Sequence, residues 1–155
     1  MKKQIFGLMA LILCACAGLT ACSDDDDDDD SNNSGIVGLW EQTHFLEWGE
    51  DYSDGPYNPE AWKEEGGFRL EFTSDGKMIQ YSFEKGQWIL HNDEIEQTYT
   101  VSDNKLIVTS YDKEENERYT ETESIDEINS NTLIITERDY DPGLCIYRYK
   151  YRRVK

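Results

Sequence analysis

From Gly35 onward the chain places apolar residues at every second position, in short runs broken by turn residues, and this period of two constrains the fold more than any other feature. Side chains two apart share one face of a β-strand, so each run predicts a strand with one face for a core. Ile36, Gly38, Trp40, Gln42, His44, Leu46 and Trp48 fall on one face of a long first strand. Phe68, Leu70 and Phe72 mark a second, and Thr73-Ser74-Asp75-Gly76 turns it into a third that carries Ile79, Tyr81 and Phe83. A short run follows at 88–90, after which Ile95, Gln97, Tyr99 and Val101 lead through Ser102-Asp103-Asn104 into the run 106–108, the pattern of a hairpin. Residues 118–128 are polar apart from Tyr119, Ile125 and Ile128, and Asn129-Ser130-Asn131 turns them into the apolar run 132–136. The last run sets Cys145, Tyr147, Tyr149 and Tyr151 on one face. Ile146, Arg148, Lys150 and Arg152 form the other, a basic face expected to be wet.

About eight antiparallel strands joined by tight turns close into an up-and-down barrel or pack as a sandwich. Successive hairpins favour the barrel, because a Greek key needs longer crossing links than these turns provide. The fold class expected is therefore all-β, a single antiparallel up-and-down barrel with one long first connection, residues 49–67. Within that connection Asn58-Pro59-Glu60-Ala61-Trp62-Lys63-Glu64-Glu65 predicts a short helix, with Asn58 as cap and Pro59 in its first turn. The region 35–155 is one domain's worth of chain and large enough for one core.

The start of the chain carries an address. Lys2 and Lys3 precede an apolar stretch over residues 5–17 that ends in Leu19-Thr20-Ala21-Cys22, the pattern of a bacterial lipoprotein signal peptide and its cleavage site. The stretch is shorter than the about 20 apolar residues a spanning helix needs. Residues 1–21 are expected to be removed and Cys22 to carry lipid, so the mature chain contacts the membrane through a covalent anchor without crossing it. Residues 22–34 then form a tether, seven consecutive aspartates at 24–30 followed by Ser31-Asn32-Asn33-Ser34. Like charges extend such a segment, and it lacks the glycine turn and alternating ligands of a calcium loop. An acidic patch directly after a lipidated cysteine resembles the surface-export signal of lipoproteins in Bacteroidetes-type bacteria. That resemblance implies an outer-membrane protein exposed at the cell surface.

Charge and cysteine content narrow the field further. With 33 acidic against 15 basic side chains the formal charge is −18, and loss of Lys2 and Lys3 makes the remainder more acidic still. Nucleic acid is excluded as a partner because phosphates need a basic face. Of four cysteines, Cys14 and Cys16 lie in the leader and Cys22 takes lipid, so Cys145 is left without an intrachain mate and the fold must rest on its own core. Its alternation with tyrosines marks it as a packed thiol rather than a nucleophile.

Gly38-Leu39-Trp40 at the head of the first strand, a long first connection, a meander of hairpins and arginines near the end of the last strand together resemble the lipocalin-like domains of Bacteroidetes lipoproteins. The resemblance spans about residues 35–155. It implies a closed barrel end where Trp40, beside Gly38, packs under an arginine of the last strand, Arg152 or Arg153. Departures are the absence of disulfides, short strands, and the polar segment 118–124, which would make the lumen less than uniformly apolar.

Catalysis has little support. His44 and His91 are the chain's two histidines, and no Cys-x-x-Cys, His-Glu-x-x-His or glycine-rich phosphate loop is present. No metal site or cofactor is expected. The binding candidates are two sets of aromatic residues. Trp48, Tyr52, Tyr57 and Trp62 lie in and before the long connection, near the expected open mouth, where they either cap the core or cover an apolar ligand. Tyr99, Tyr147 and Tyr149 belong to inward-facing rows whose hydroxyls need partners from side chains, water or an amphipathic molecule. The expectation is a non-catalytic binding protein for a small or apolar molecule. The alternative is a protein-interaction module with a filled barrel. A cavity above about 300 Å³ distinguishes the two, since ligand sites usually have that size.

Overall fold

The computed structural model describes residues 35–50, 55–91, 94–140 and 143–155. The leader, Cys22, the acidic tether and Tyr52 lie outside the described residues. Ten strand segments occur among those described: β1 (Gly38–Gly49), β2 (Lys63–Glu64), β3 (Phe68–Phe72), β4 (Lys77–Glu84), β5 (Gln87–Leu90), β6 (Ile95–Ser102), β7 (Lys105–Asp112), β8 (Glu117–Ile128), β9 (Thr132–Asp139) and β10 (Cys145–Arg153). Every pairing is antiparallel, neighbours in sequence are neighbours in the sheet, and β10 pairs with β1 to close it. β2 and β3 share one edge of β1, and β5 and β6 share one edge of β4, so the ten segments build eight staves. This is the closed up-and-down barrel that the alternation predicts, with β8 pairing to β9 only from Ser124 onward, so that its edge over residues 117–123 has no partner in β9.

Local turn chemistry sets the hairpins. Asp103 and Asn104 both take positive φ in the two-residue β6–β7 turn, and Lys85 and Gly86 do so between β4 and β5. Such turns match the right-handed strand twist. At the closed end of the barrel the core is Ile36, Trp40, Phe72, Tyr99, Leu133 and their neighbours. Trp40 is fully buried and donates its indole N–H to the Ile36 carbonyl at 2.7 Å.

Two β-bulges decide which side chains point inward. In β1, Gln42 pairs with Tyr151 but His44, not Thr43, pairs with Lys150, so Thr43 is one residue extra. A bulge reverses the alternation beyond it. Trp40 and Gln42 face the barrel interior, whereas past Thr43 it is Phe45 that faces in, and His44, Leu46 and Trp48 sit on the outer wall. The expected single face from Ile36 to Trp48 is thus split in two. In β8, Asp126 is the extra residue opposite β9. Its carboxylate accepts hydrogen bonds from Thr136 Oγ1 at 2.7 Å and Arg148 Nη2 at 3.0 Å.

Three further expectations are corrected. Residues 58–65 form no helix. Asn58 does cap a turn, accepting from the Glu60 amide at 3.0 Å, but Lys63 and Glu64 pair with Phe45 and His44 of β1. Eight residues cannot repay helix nucleation when a strand edge offers ready partners. In β4 the inward face is Met78, Gln80 and Ser82 rather than Ile79, Tyr81 and Phe83, because pairing with Phe72, Leu70 and Phe68 of β3 sets the register. The Ile146, Arg148, Lys150 and Arg152 face of β10 is wet only toward its end, where the Arg152 side chain is exposed. Ile146 is buried, and Arg148 is covered by the long connection, donating to the Pro59 carbonyl at 3.0 Å.

Candidate functional site

The lower half of the barrel is filled, and the upper half holds a chamber of about 360 Å³. Its two walls differ in chemistry. Phe68 and Leu70 of β3 and Met78 of β4 make one side mainly apolar, interrupted by Gln80, while Glu123 of β8, Glu137 of β9 and Tyr149 and Tyr151 of β10 put polar groups on the other, above the apolar Leu106 and Ile135. Gln42 and Phe45 of β1 join the two. Strand register explains the polar wall. Tyr149 pairs with Ile135, Tyr151 with Leu133 and Tyr147 with Glu137, so the β10 tyrosine row and Glu137 share the inner face. Glu123 pairs with Leu106, a fully buried core residue, and lies two positions from inward-facing Ile125.

Burial pushes the Glu123 carboxyl up to about 7, with the charges of Glu137 and Glu121 adding to the shift. Glu137 is raised as well, by burial first and then by Glu121 and Asp139, against a hydrogen bond from the Tyr149 hydroxyl that lowers it. Burial also raises Tyr149 and Tyr151, and nearby glutamates add to both effects. Arg69 is the basic residue that borders the chamber, and it is committed elsewhere: its Nη2 lies 2.6 Å from Glu41 Oε2 and its guanidinium stacks 3.9 Å from the Trp88 ring centre. Glu41 is in turn bridged by Arg152 at 2.6 Å, and these two arginines hold its carboxyl below the usual range. The polar wall is therefore left with uncompensated acidic groups.

Of the aromatic residues in and before the long connection, the described ones, Trp48, Tyr57 and Trp62, are not at the mouth. Trp48 donates its indole N–H to the Gly55 carbonyl at 3.0 Å and meets Tyr57 edge-on at 5.6 Å. Trp62 packs against His44 and under the Arg148 guanidinium, 4.9 Å from its ring centre. All three rings lie against the outer wall because the Thr43 bulge turned His44, Leu46 and Trp48 outward. Tyr99 lies in the closed-end core, edge-on to Phe72, with its hydroxyl donated to the Thr73 carbonyl at 2.9 Å. Tyr147 stacks on Phe45 higher in the same inner row as Tyr149. Among the described residues named as binding candidates from the sequence, Tyr149 alone lines the chamber. Glu123, Glu137, Gln42 and Tyr151 were missed there. Counting back by two from Ile125 points Glu123 inward, but a glutamate on a polar strand reads as solvent-facing until the barrel closes over it.

At the closed end Arg153 lies over Trp40, 4.1 Å from its ring centre, and Gly38 sits beneath the same guanidinium. Arg152 points outward to Glu41. Fold and chamber together define a closed eight-stranded antiparallel barrel, consistent with a lipocalin-like barrel, that is solid at one end and hollow at the other. Comparison with protein-family models and with curated proteins finds no match for this chain.

Proposed function

We propose that this chain is a lipid-anchored protein of the outer membrane, exposed at the cell surface, whose barrel holds one small molecule without transforming it. The observation that carries the binding role is the chamber itself. Its about 360 Å³ exceeds the size at which ligand sites begin, and its walls combine apolar surface with a few convergent polar groups. The anchor rests on Leu19-Thr20-Ala21-Cys22 and the surface location on the aspartate run that follows.

Native mass spectrometry of the lipidated protein, extracted in mild detergent from its original host, tests both parts. The expected result is a mass excess for lipid on Cys22 and a second, releasable small molecule in stoichiometric amount. A chain that retains Met1, or one that stays empty while a control carrier keeps its ligand, counts against the respective part.

A second reading is favoured by the outer wall at the β4–β5 hairpin, where Phe83 is 49% and Leu90 51% exposed and Trp88 packs on Phe83 at 5.1 Å. Exposed apolar side chains so grouped suit a protein partner. Cross-linking at the cell surface, compared between the wild type and Phe83→Ser, tests that role.

A further inference from the structure

Two polar side chains in the chamber are more than nine-tenths buried and have no side-chain hydrogen bond to another group among the described residues. Gln42 is 6% exposed and Tyr151 7%, they face one another across the β1–β10 ladder, and both border the chamber. Among the described residues no buried side-chain nitrogen or oxygen lacks a hydrogen-bond partner, so the polar ends of this pair are reached from the chamber and meet whatever occupies it. Glu123, beside them, takes part in no ion pair or side-chain hydrogen bond among the described residues, and Glu137 accepts from the Tyr149 hydroxyl.

Resting on the reading of the lumen as a binding site, we infer that the chamber takes an organic monocation, a protonated amine on an apolar body, with its ammonium group between Glu123 and Glu137 and its body against Phe68, Leu70 and Met78. Each group then has a role. Four acceptors line the polar side, the two carboxylates, the Tyr151 hydroxyl oxygen and the Gln42 amide oxygen, and an ammonium bonds to up to three of them at a time. The apolar wall of β3 and β4 buries the rest of the molecule.

Rival ligand classes fit less well. An anion would meet carboxylates and no unneutralised cation, because Arg69 is paired with Glu41. A bare metal ion lacks its donor set, since no group of three or more His, Cys, Asp or Glu side chains converges among the described residues. A purely apolar molecule would leave two carboxylates, a hydroxyl and an amide desolvated without partners, which is unfavourable.

The test uses matched trios that share one ring or chain and differ in head group: tryptamine, tryptophol and indole-3-acetate, and octylamine, octanol and octanoate. Each is titrated calorimetrically into the full chain at pH 8. The expected result is binding of at least one amine, with its alcohol weaker by about tenfold or more, the worth of a charge-assisted hydrogen bond, and its carboxylate not bound. Glu137→Gln and Glu123→Gln should each weaken the amine by about tenfold or more and leave the alcohol unchanged. An alcohol or carboxylate that binds as well as its amine overturns the inference while leaving the lumen as a binding site. Failure of both amines overturns it too. Whether the lumen reading then falls with it is read from the native mass spectrum: a neutral or anionic molecule released from the host protein keeps the lumen reading, and an empty barrel removes both.

Discussion

The Arg153 guanidinium stacks on Trp40 at 4.1 Å and at the same time donates to three main-chain carbonyls, those of Gly35 at 2.6 Å, Val37 at 2.7 Å and Ser130 at 3.0 Å. One side chain thus ties the entry of β1, the β8–β9 turn and the end of β10 over the buried ring that plugs the barrel. Only a planar fork with several donors can do this. Arg153→Ala is expected to cost about 2–4 kcal/mol, the worth of several charged hydrogen bonds less what water restores. Arg153→Lys should recover a minor part. Urea unfolding of the three proteins checks this, and equal midpoints for wild type and Arg153→Ala would refute it.

Gly38 lies where a side chain cannot. Its φ is +135°, and a Cβ there would stand 2.5 Å from Arg153 Nη1. Gly38→Ala therefore strains the backbone and displaces the same guanidinium, and a loss of about 1–3 kcal/mol follows. Combined with Arg153→Ala the two losses should be less than additive, because they share one contact. Additive losses in a double-mutant cycle would show that Gly38 acts through the backbone alone.

Glu123 makes stability depend on pH. Its carboxyl is raised from 4.5 to about 7 in the fold, by burial first and then by Glu137 and Glu121, so between those values the native state binds more protons than the unfolded chain. Stability from this group is complete below about pH 4.5 and is lost as pH rises through 7. Glu123→Gln removes that loss. At pH 8 it should be more stable than the wild type by about 1–3 kcal/mol, and at pH 5 the gap should nearly close. Denaturation midpoints at the two pH values measure the difference, and a gap that does not change with pH contradicts the assignment.

Arg148 fastens the long connection to the outer wall through Pro59, Asp126, Thr136 and Trp62. Arg148→Ala leaves the Asp126 carboxylate without its cation and releases the loop, with a cost of about 2–3 kcal/mol. The loop should then be cut faster by protease between 55 and 62, and Trp62 emission should shift to the red. Because the chamber lies inside the barrel and the loop outside, ligand binding should be unchanged. Loss of binding in this variant would place the loop at the mouth after all.

Several features of this molecule are visible in the bare chain because they depend on neighbours in sequence. The period of two, the turn residues Asp103-Asn104, and the alternating tyrosines of the last strand are local, and they led to an antiparallel barrel of about eight staves. The helix expected over 58–65 shows the limit of local signals. Asn58 and Pro59 formed the turn their chemistry favours, yet β1 supplied strand partners and the helix did not propagate. The aromatic residues assigned to the mouth failed for a different reason. One extra residue at Thr43 reverses every position after it, and nothing about a threonine announces a bulge.

Composition, periodicity and turn chemistry by themselves determined that this chain carries an acidic, all-β domain with strands in hairpin order and a single cysteine, Cys145. Which residues face inward, and so the existence of a chamber with Glu123, Glu137, Gln42 and Tyr151 on its walls, was decided only by tertiary structure. The reason is physical: a strand shows its partners one face or the other according to register, and register in the closing ladder is set by hydrogen bonds between β1 and β10, at opposite ends of the domain, with Trp40 opposite Arg153.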